Sequence, residues 1–336
     1  MKVTIGDVAK KAGVSKTTVS RILNGHYEHA TAETRERGLQ VIRELDYRPN
    51  ALAKGLKQMK TNVLGIVLSN LRNPFWASVL EGVEDACRSL GYSLMICNSN
   101  EDPALEEDYL KVMQMRQVDG VIINPTAKNF SLYESLCNNK FPLIAINRKL
   151  EGIAVDTVVM DNVLGASMAV EHLYRQGRRN IAILLYPPEG VSPRIERIEG
   201  YKQGLMKCGL AVRESLIRIV PEQKGNIKEA TKELLRGPHE VDAIFSTNNM
   251  MTLEVLEAIK ELGLTVPADV ALVGYDETVW SQHLDPPLTT VFQPAYEMGE
   301  FAARRLIQRI ESKRTLKPKT VVLKPNLIIR RSCGST

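Results

Sequence analysis

Residues 4–25 read TIGDVAKKAGVSKTTVSRILNG, and their punctuation decides how the chain begins. Thr4 followed three residues later by Asp7 has the form of a capping box opening a helix over Asp7–Ala12. Gly13 ends it, as a residue tolerant of positive φ can. Ser15 is a good N-cap for a second helix through Leu23, closed by Asn24-Gly25. A third helix starts at Thr31 or Ala32, with apolar Leu39, Ile42 and Leu45 at three-residue spacing. Two helices joined by an Ala-Gly-Val-Ser turn and braced by a third read as a helix-turn-helix. Val8, Ala12, Val19 and Leu23 are its expected core.

Charge follows the same boundary. Residues 1–60 hold 12 of the 44 Lys and Arg against 6 of the 39 Asp and Glu, and the remainder holds 32 against 33. The whole positive excess therefore sits in the first sixth of the chain. A localised basic segment fits nucleic acid or an anionic membrane surface. A plain solvated basic face is the competing, less favoured reading of the charge. Hydrophobic residues at 44% and charged residues at 25% are ordinary for a chain with a sizeable core. No run approaches the roughly 20 apolar residues of a membrane span, and no secretory leader is visible. Five scattered cysteines without C-x-x-C spacing argue against disulfides or a cysteine zinc site and fit a reducing cytoplasm.

From residue 62 the texture changes. Short apolar runs such as Val63–Leu68, Gly120–Ile123, Leu143–Ile146, Ile181–Leu185, Ala243–Ser246 and Val270–Val273 alternate with amphipathic helices. That rhythm predicts parallel sheets covered on both faces. Roughly ten such units exceed one ordinary sheet, so two doubly wound lobes are expected, with ligands beyond the carboxyl ends of the strands.

An ordered set of motifs then carries a resemblance. It begins with Val3-Thr4-Ile5-x-Asp7-Val8-Ala9-x-x-Ala12-Gly13-Val14-Ser15-x-x-Thr18-Val19-Ser20-Arg21-x-Leu23-Asn24. It continues through Leu45-x-Tyr47-x-Pro49-Asn50, Asn73-Pro74-Phe75, Asp161-Asn162, Arg197-x-x-Gly200-Tyr201, Gly274-Tyr275-Asp276 and Pro287–Val291. The chain resembles the LacI/GalR transcription regulators from residue 3 to about 330, and within that family the regulators of 2-keto-3-deoxygluconate use. The resemblance implies an all-α helix-turn-helix head over 1–48, a hinge helix or linker over 49–61, and a two-lobed core like periplasmic sugar-binding proteins over 62–330. The first lobe is expected over about 62–161 and 291–320, the second over about 162–290 and 321–330, with 331–336 as a tail.

For the head, the resemblance places Lys16 and Thr17 at base-reading positions with Arg21 one turn on. Lys or Arg favours guanine O6/N7, whereas Thr can meet a thymine methyl. Ser15, Ser20, Asn24 and Thr31 are candidates for phosphate contacts that set register without reading sequence; Thr18 is a further candidate for base contact, and Thr4 belongs to the same DNA-binding set. Plain helix surface is the competing reading for Thr17 and Thr18. Two positions depart from the family pattern: Gly6, where a longer residue is common, and Gly38 inside the third helix. A helix glycine costs about 1 kcal/mol relative to alanine, so Gly38 is expected to loosen the head. The resemblance further implies that Asn50, Ala53 and Leu56 belong to a segment that folds in the minor groove. There Leu56 would act as an apolar wedge between base steps.

For the core, the resemblance assigns the effector to Phe75, Trp76, Asn147, Arg148, Arg197, Asn248 and Asp276, with Arg197 opening its helix. Lys224, in a stretch lacking the family's aromatic residue, is expected to point inward. Asn147 and Asn249 stand where aspartate is commoner, so the cleft should be less negative. With the arginines this favours a sugar acid over a neutral sugar. Implied partners are a pseudo-palindromic DNA operator, a second copy of the chain and the effector; a phosphocarrier-type co-regulator is left open. No cofactor or metal is expected, since the five histidines lack ligand spacing and no Walker A, G-x-G-x-x-G, G-x-S-x-G or H-E-x-x-H motif occurs. The competing classes are an exported sugar-binding receptor, which would leave the basic head without a purpose, and a sugar-processing enzyme.

Overall fold

The structure, a computed structural model, describes residues 3–27, 30–47 and 60–335. Asn50, Ala53, Leu56 and His29 therefore lie outside the described residues. The chain divides into two compact units between Thr61 and Asn62. No helix among the described residues is long and apolar enough to cross a membrane.

The first unit has three helices: α1 (Ile5–Ala12), α2 (Lys16–Leu23) and α3 (Ala32–Glu44). Their starts are the expected caps. The Thr4 hydroxyl accepts from the Asp7 backbone and the Asp7 carboxylate accepts from Thr4 N at 2.8 Å, closing the box. Ser15 and Thr31 likewise accept from the backbones of Thr18 and Thr34. Val8, Ala9, Ala12, Val19, Ile22 and Val41 are buried between the helices, whereas Leu23 is only half-buried. Gly38 lies where α3 packs on α2: a methyl group there would sit 2.7 Å from Cδ1 of the buried Ile22, the movable end of that side chain.

The second unit opens with β1 (Val63–Leu68), α4 (Phe75–Ser89), β2 (Ser93–Asn98), α5 (Pro103–Met115), β3 (Gly120–Ile123), α6 (Phe130–Asn138), β4 (Leu143–Ile146) and β5 (Asp156–Met160). It continues through α7 (Asn162–Arg175), β6 (Ile181–Leu185), α8 (Ser192–Lys207), β7 (Ile217–Ile219), α9 (Asn226–Arg236), β8 (Ala243–Ser246), α10 (Asn249–Glu261), β9 (Ala271–Tyr275) and β10 (Thr289–Phe292). It closes with α11 (Ala295–Glu311), β11 (Thr320–Leu323), β12 (Asn326–Ile328) and a 3-10 turn over Arg331–Cys333. The strands form two six-stranded sheets, ordered β11-β5-β4-β3-β1-β2 and β12-β10-β9-β8-β6-β7. All pairings are parallel except β12 on β10. This is the expected pair of doubly wound lobes. Each sheet is covered by apolar clusters on both faces.

The chain passes between the lobes three times: after β5, after β10 and after β11. Two boundaries differ from expectation. Strand β11 pairs with β5 and so gives residues 321–323 to the first lobe, while β10 keeps 291–292 in the second. The segment after 330 is no free tail either. Ser332 donates to Leu272 O at 2.6 Å and accepts from Thr289 N at 2.8 Å, and Cys333 is buried.

One glycine seam tightens each lobe. A methyl group on Gly82 would sit 2.0 Å from Tyr296 O, and one on Gly299 2.0 Å from Val79 O, so α4 and α11 touch backbone to backbone. In the second lobe Gly200 does the same for α7 and α8, 2.2 Å from Val163 O. No other residue fits such contacts.

Candidate ligand cleft and nucleic-acid interface

Parallel strands deliver their last residues to one end, and both sheets aim that end at the same cleft. Ser69 follows β1, Glu101 follows β2, Asn124 follows β3, and Asn147 and Arg148 follow β4. From the other side come Tyr186 after β6, Glu222 after β7, Asn248 after β8, Asp276 after β9 and Gln293 after β10. The enclosed space between them is about 80 Å³, below the roughly 300 to 1,000 Å³ usual for a small-molecule site, so the two walls stand close together. Asn147 and Asp276 occupy matching places after β4 and β9, and both take left-handed backbone, φ 64° and 73°. Strained non-glycine backbone of this kind concentrates at binding sites.

Phe75 and Trp76 form the apolar wall at the start of α4, edge to face with centroids 5.0 Å apart. Both also belong to the core of the first lobe, so they serve packing and lining together. The Asn73 carboxamide oxygen accepts from Phe75 N at 2.9 Å and from Asn249 Nδ2 at 2.8 Å, tying the two lobes across the cleft. Asn248 lines the cleft and also caps α10, accepting from Met250 N at 2.9 Å.

Three guanidinium groups converge here, each held differently. Arg148, 4% exposed, grips Glu101 with both terminal nitrogens, at 2.9 and 2.5 Å, and donates to Pro125 O. Burial raises the Glu101 carboxyl, but the Arg148 bonds and charge outweigh it and hold it below the usual range. Arg194 donates to Pro187 O and, at 3.2 Å, to Glu222. Its pKa is lowered by burial and by the charges of Arg148 and Arg197. Arg197 bonds only neutral oxygens, Asn162 Oδ1 at 3.1 Å and Thr247 O at 2.7 Å, and stacks 3.7 Å over the Tyr275 ring. Burial pushes the Asp276 carboxyl up, with Arg197 opposing, while Gln293 donates to it. In the cleft wall, Arg148 Nε and Gln293 Oε1 are buried with no hydrogen-bond partner among the described residues, as is Oδ1 of Asn249 next to the wall residue Asn248. Unmet buried polar atoms in a cleft point to a ligand or water that meets them.

Of the residues expected in the cleft, Phe75, Trp76, Asn147, Arg148, Arg197, Asn248 and Asp276 stand in its wall, and Lys224 does not. Lys224 is exposed in the turn before α9, where Gly225 at φ 89° carries the chain away, and Glu222 takes the wall position. Arg197 does not open its helix; it stands in the second turn of α8, which starts at Ser192. Sequence reasoning missed Arg194, Glu101, Asn124 and Gln293. Arg194 carried a signal, being three residues before Arg197 and so on the same helix face.

In the head, α2 presents Lys16, Thr17 and Arg21 as exposed side chains. Thr18 is half-buried, with its hydroxyl 2.9 Å from that of Ser15. Thr4, Ser15 and Thr31 cap their helices, and Asn24 Nδ2 donates to Ser20 O at 2.7 Å. The Lys16 stem lies over Gly6: a methyl group on the glycine would sit 3.3 Å from Lys16 Cε.

Comparison with known proteins agrees with this geometry. Residues 4–50 match the family described as bacterial regulatory proteins, lacI family, and residues 170–333 match a periplasmic binding protein-like domain. The chain is 36% identical over 318 residues to the probable HTH-type transcriptional regulator EndR of Paenibacillus polymyxa, covering 93% of this chain and 92% of that one. It is 33% identical over 337 residues to the HTH-type transcriptional regulator KdgR of Bacillus subtilis (strain 168), covering 98% and 97%. Among solved structures, the lac repressor dimer bound to operator and the anti-inducer ONPF superposes with a TM-score of 0.88 at 26% identity, over 99% of each chain. The chain thus belongs to the lacI family of bacterial regulatory proteins and is a DNA-binding transcription regulator, not an enzyme.

Proposed function

We propose that this regulator is a homodimeric repressor of sugar-acid catabolism genes, released from or fixed on a pseudo-palindromic operator by a sugar acid such as 2-keto-3-deoxygluconate held between the lobes. The observation that carries the anionic effector is the unequal pairing of the three arginines. Glu101 neutralises Arg148 and Glu222 faces Arg194, but Arg197 has only neutral hydrogen-bond partners, beside an Asp276 pushed toward its uncharged form. A ligand carboxylate would complete that set, and the unmet Gln293 oxygen in the cleft wall would accept from a hydroxyl. Effector binding then biases lobe closure and, through it, the head. The similarity to KdgR and to a repressor solved with operator and anti-inducer supports the same reading. Titration of the protein with 2-keto-3-deoxygluconate, gluconate and ribose by calorimetry tests it. Heat from the acids supports the proposal; heat from ribose alone sinks it.

On DNA, Lys16, Thr17 and Arg21 read bases in the major groove, with Ser20, Asn24 and the helix caps at Thr4, Ser15 and Thr31 against phosphates. Asn50, Ala53 and Leu56 belong to the minor-groove segment. Because the Lys16 stem lies on Gly6, Gly6→Leu is expected to shift base preference opposite Lys16 without loss of folding, as read by selecting bound fragments from the source genome. Leu56→Ala is expected to weaken operator binding far more than binding to random duplex; equal losses on both would refute the wedge.

A further inference from the structure

We infer that the strand-start face of the first lobe is a second, sequence-independent surface for DNA phosphates. In this lobe β1, β3, β4, β5 and β11 are parallel and in register, so Val63, Gly120, Leu143, Asp156 and Thr320 share one end, opposite the cleft. Helix α11 ends there, and the eight residues 312–319 that follow contain Lys313, Arg314, Lys317 and Lys319 and no acidic residue. All four are exposed, as is Lys140 in the turn after α6. Lys140, Lys313 and Arg314 line a single concavity of about 370 Å³ together with Arg309.

The acids at this end are already engaged. Asp156, 1% exposed, holds Arg305 and Arg309 and accepts from Lys319 N at 2.8 Å, which anchors the basic loop at its base. Asp119 accepts from Asn62 N at 2.8 Å, and Glu311 also has a partner. None of Lys140, Lys313, Arg314, Lys317 and Lys319 has an acidic partner within 4.0 Å among the described residues. Five cations on an anchored frame, left unneutralised in a core whose overall charge is balanced, suit a polyanion.

Its identity follows from connectivity. The chain enters the first lobe at Asn62, which is bonded to Asp119 and to Ser93 N at this same end. The chain that follows the DNA-reading head therefore joins the first lobe at its strand-start end. A duplex held by that head carries about one negative charge per 1.7 Å of its axis, which makes it the polyanion at hand. Contacts there add affinity without reading sequence.

The test uses the full-length chain, with Lys313, Arg314, Lys317 and Lys319 all changed to Gln, titrated against a random-sequence duplex and against a fragment recovered by genomic selection. Measurements run from about 50 to 200 mM salt. Both DNAs are expected to bind about 10-fold more weakly, and the slope of log Kd against log salt should fall by about 2 to 3, near 0.9 for each phosphate lost. Lys140→Gln, on a separate element, should lower it by about a further 0.9. A control with Lys260→Gln and Arg236→Gln, exposed on the second lobe, should leave the slope unchanged. Retained effector heat in every variant shows that the core is folded. An unchanged slope in the loop variant, or an equal fall in the control, overturns the inference. So does an effect seen only when an acidic protein replaces DNA.

Discussion

The two lobes have the same strand order and the same glycine-sealed helix pair, yet each holds its most buried arginine at the cleft differently. In the first, charged groups are closed into pairs: Arg148 with Glu101 at the cleft, and Asp156 with Arg305 and Arg309 at the far end. In the second, Arg197 rests on neutral oxygens and an aromatic ring, and Asp276 is met by an amide. Shared topology therefore brings the strand ends of both lobes to one cleft, while the pairing of charge differs between its two walls. The fold is a frame in which the buried arginine of the first lobe's cleft wall is paired and Arg197 of the second is left open.

The largest expected effect tests the frame. Gly82→Ala and Gly200→Ala should each cost about 3 kcal/mol or more, because the added methyl meets immobile backbone. Urea unfolding would show it as a lowered midpoint, and a tolerated Gly200→Ala beside a damaging Gly82→Ala would break the equivalence of the lobes. Next comes the closed charge of the first lobe. Asp156→Ala leaves two arginines facing a buried gap and should cost about 3 kcal/mol. Asp242→Ala, in the second lobe, loses bonds to Arg179 N and Asn180 N only and should cost about 1 kcal/mol.

On the open side, Arg197→Ala should weaken effector binding about 100-fold, roughly 2.7 kcal/mol, and lower the unfolding midpoint by the loss of its bonds to Asn162 and Thr247; an unaltered calorimetric titration would remove Arg197 from the site. The smallest effect concerns Cys333. Burial opposes its ionisation, but hydrogen bonds with His172, Ser335 and Thr289 bring the thiol down to about 6. A depressed folded value adds stability that is present above the unfolded value and is lost as pH falls through about 6. Wild-type stability should therefore fall between pH 8 and pH 6 more steeply than that of Cys333→Ser, in parallel urea melts; matching slopes would count against an ionised thiol.

What the sequence showed and hid follows from local physics. Helices α1 to α3 were legible because Thr4, Ser15 and Thr31 mark their starts with side chains. The central strands were legible as continuous apolar runs, which buried parallel strands require. Helix α8 was harder: it exposes Ile195 and buries Arg197, so no apolar stripe announces it. Strands β7, β11 and β12 are short or half-exposed edges with little pattern to offer. In the cleft, Asp276 and Arg197 sat in recognisable motifs, whereas Glu101, Asn124 and Gln293 stand together only because distant strand ends converge. Lys224 was misplaced because one left-handed glycine decides which way its turn faces.

The three passages between lobes also set an order of events during synthesis. The head is complete once residue 61 has been made, but the first sheet lacks its outer strand until Leu323. At bacterial elongation rates of about 5 to 20 residues per second, those roughly 260 residues take on the order of 10 to 50 s. Throughout that interval a nascent chain carries a folded DNA reader with no sensor to govern it, and neither lobe can be made alone by trimming the gene.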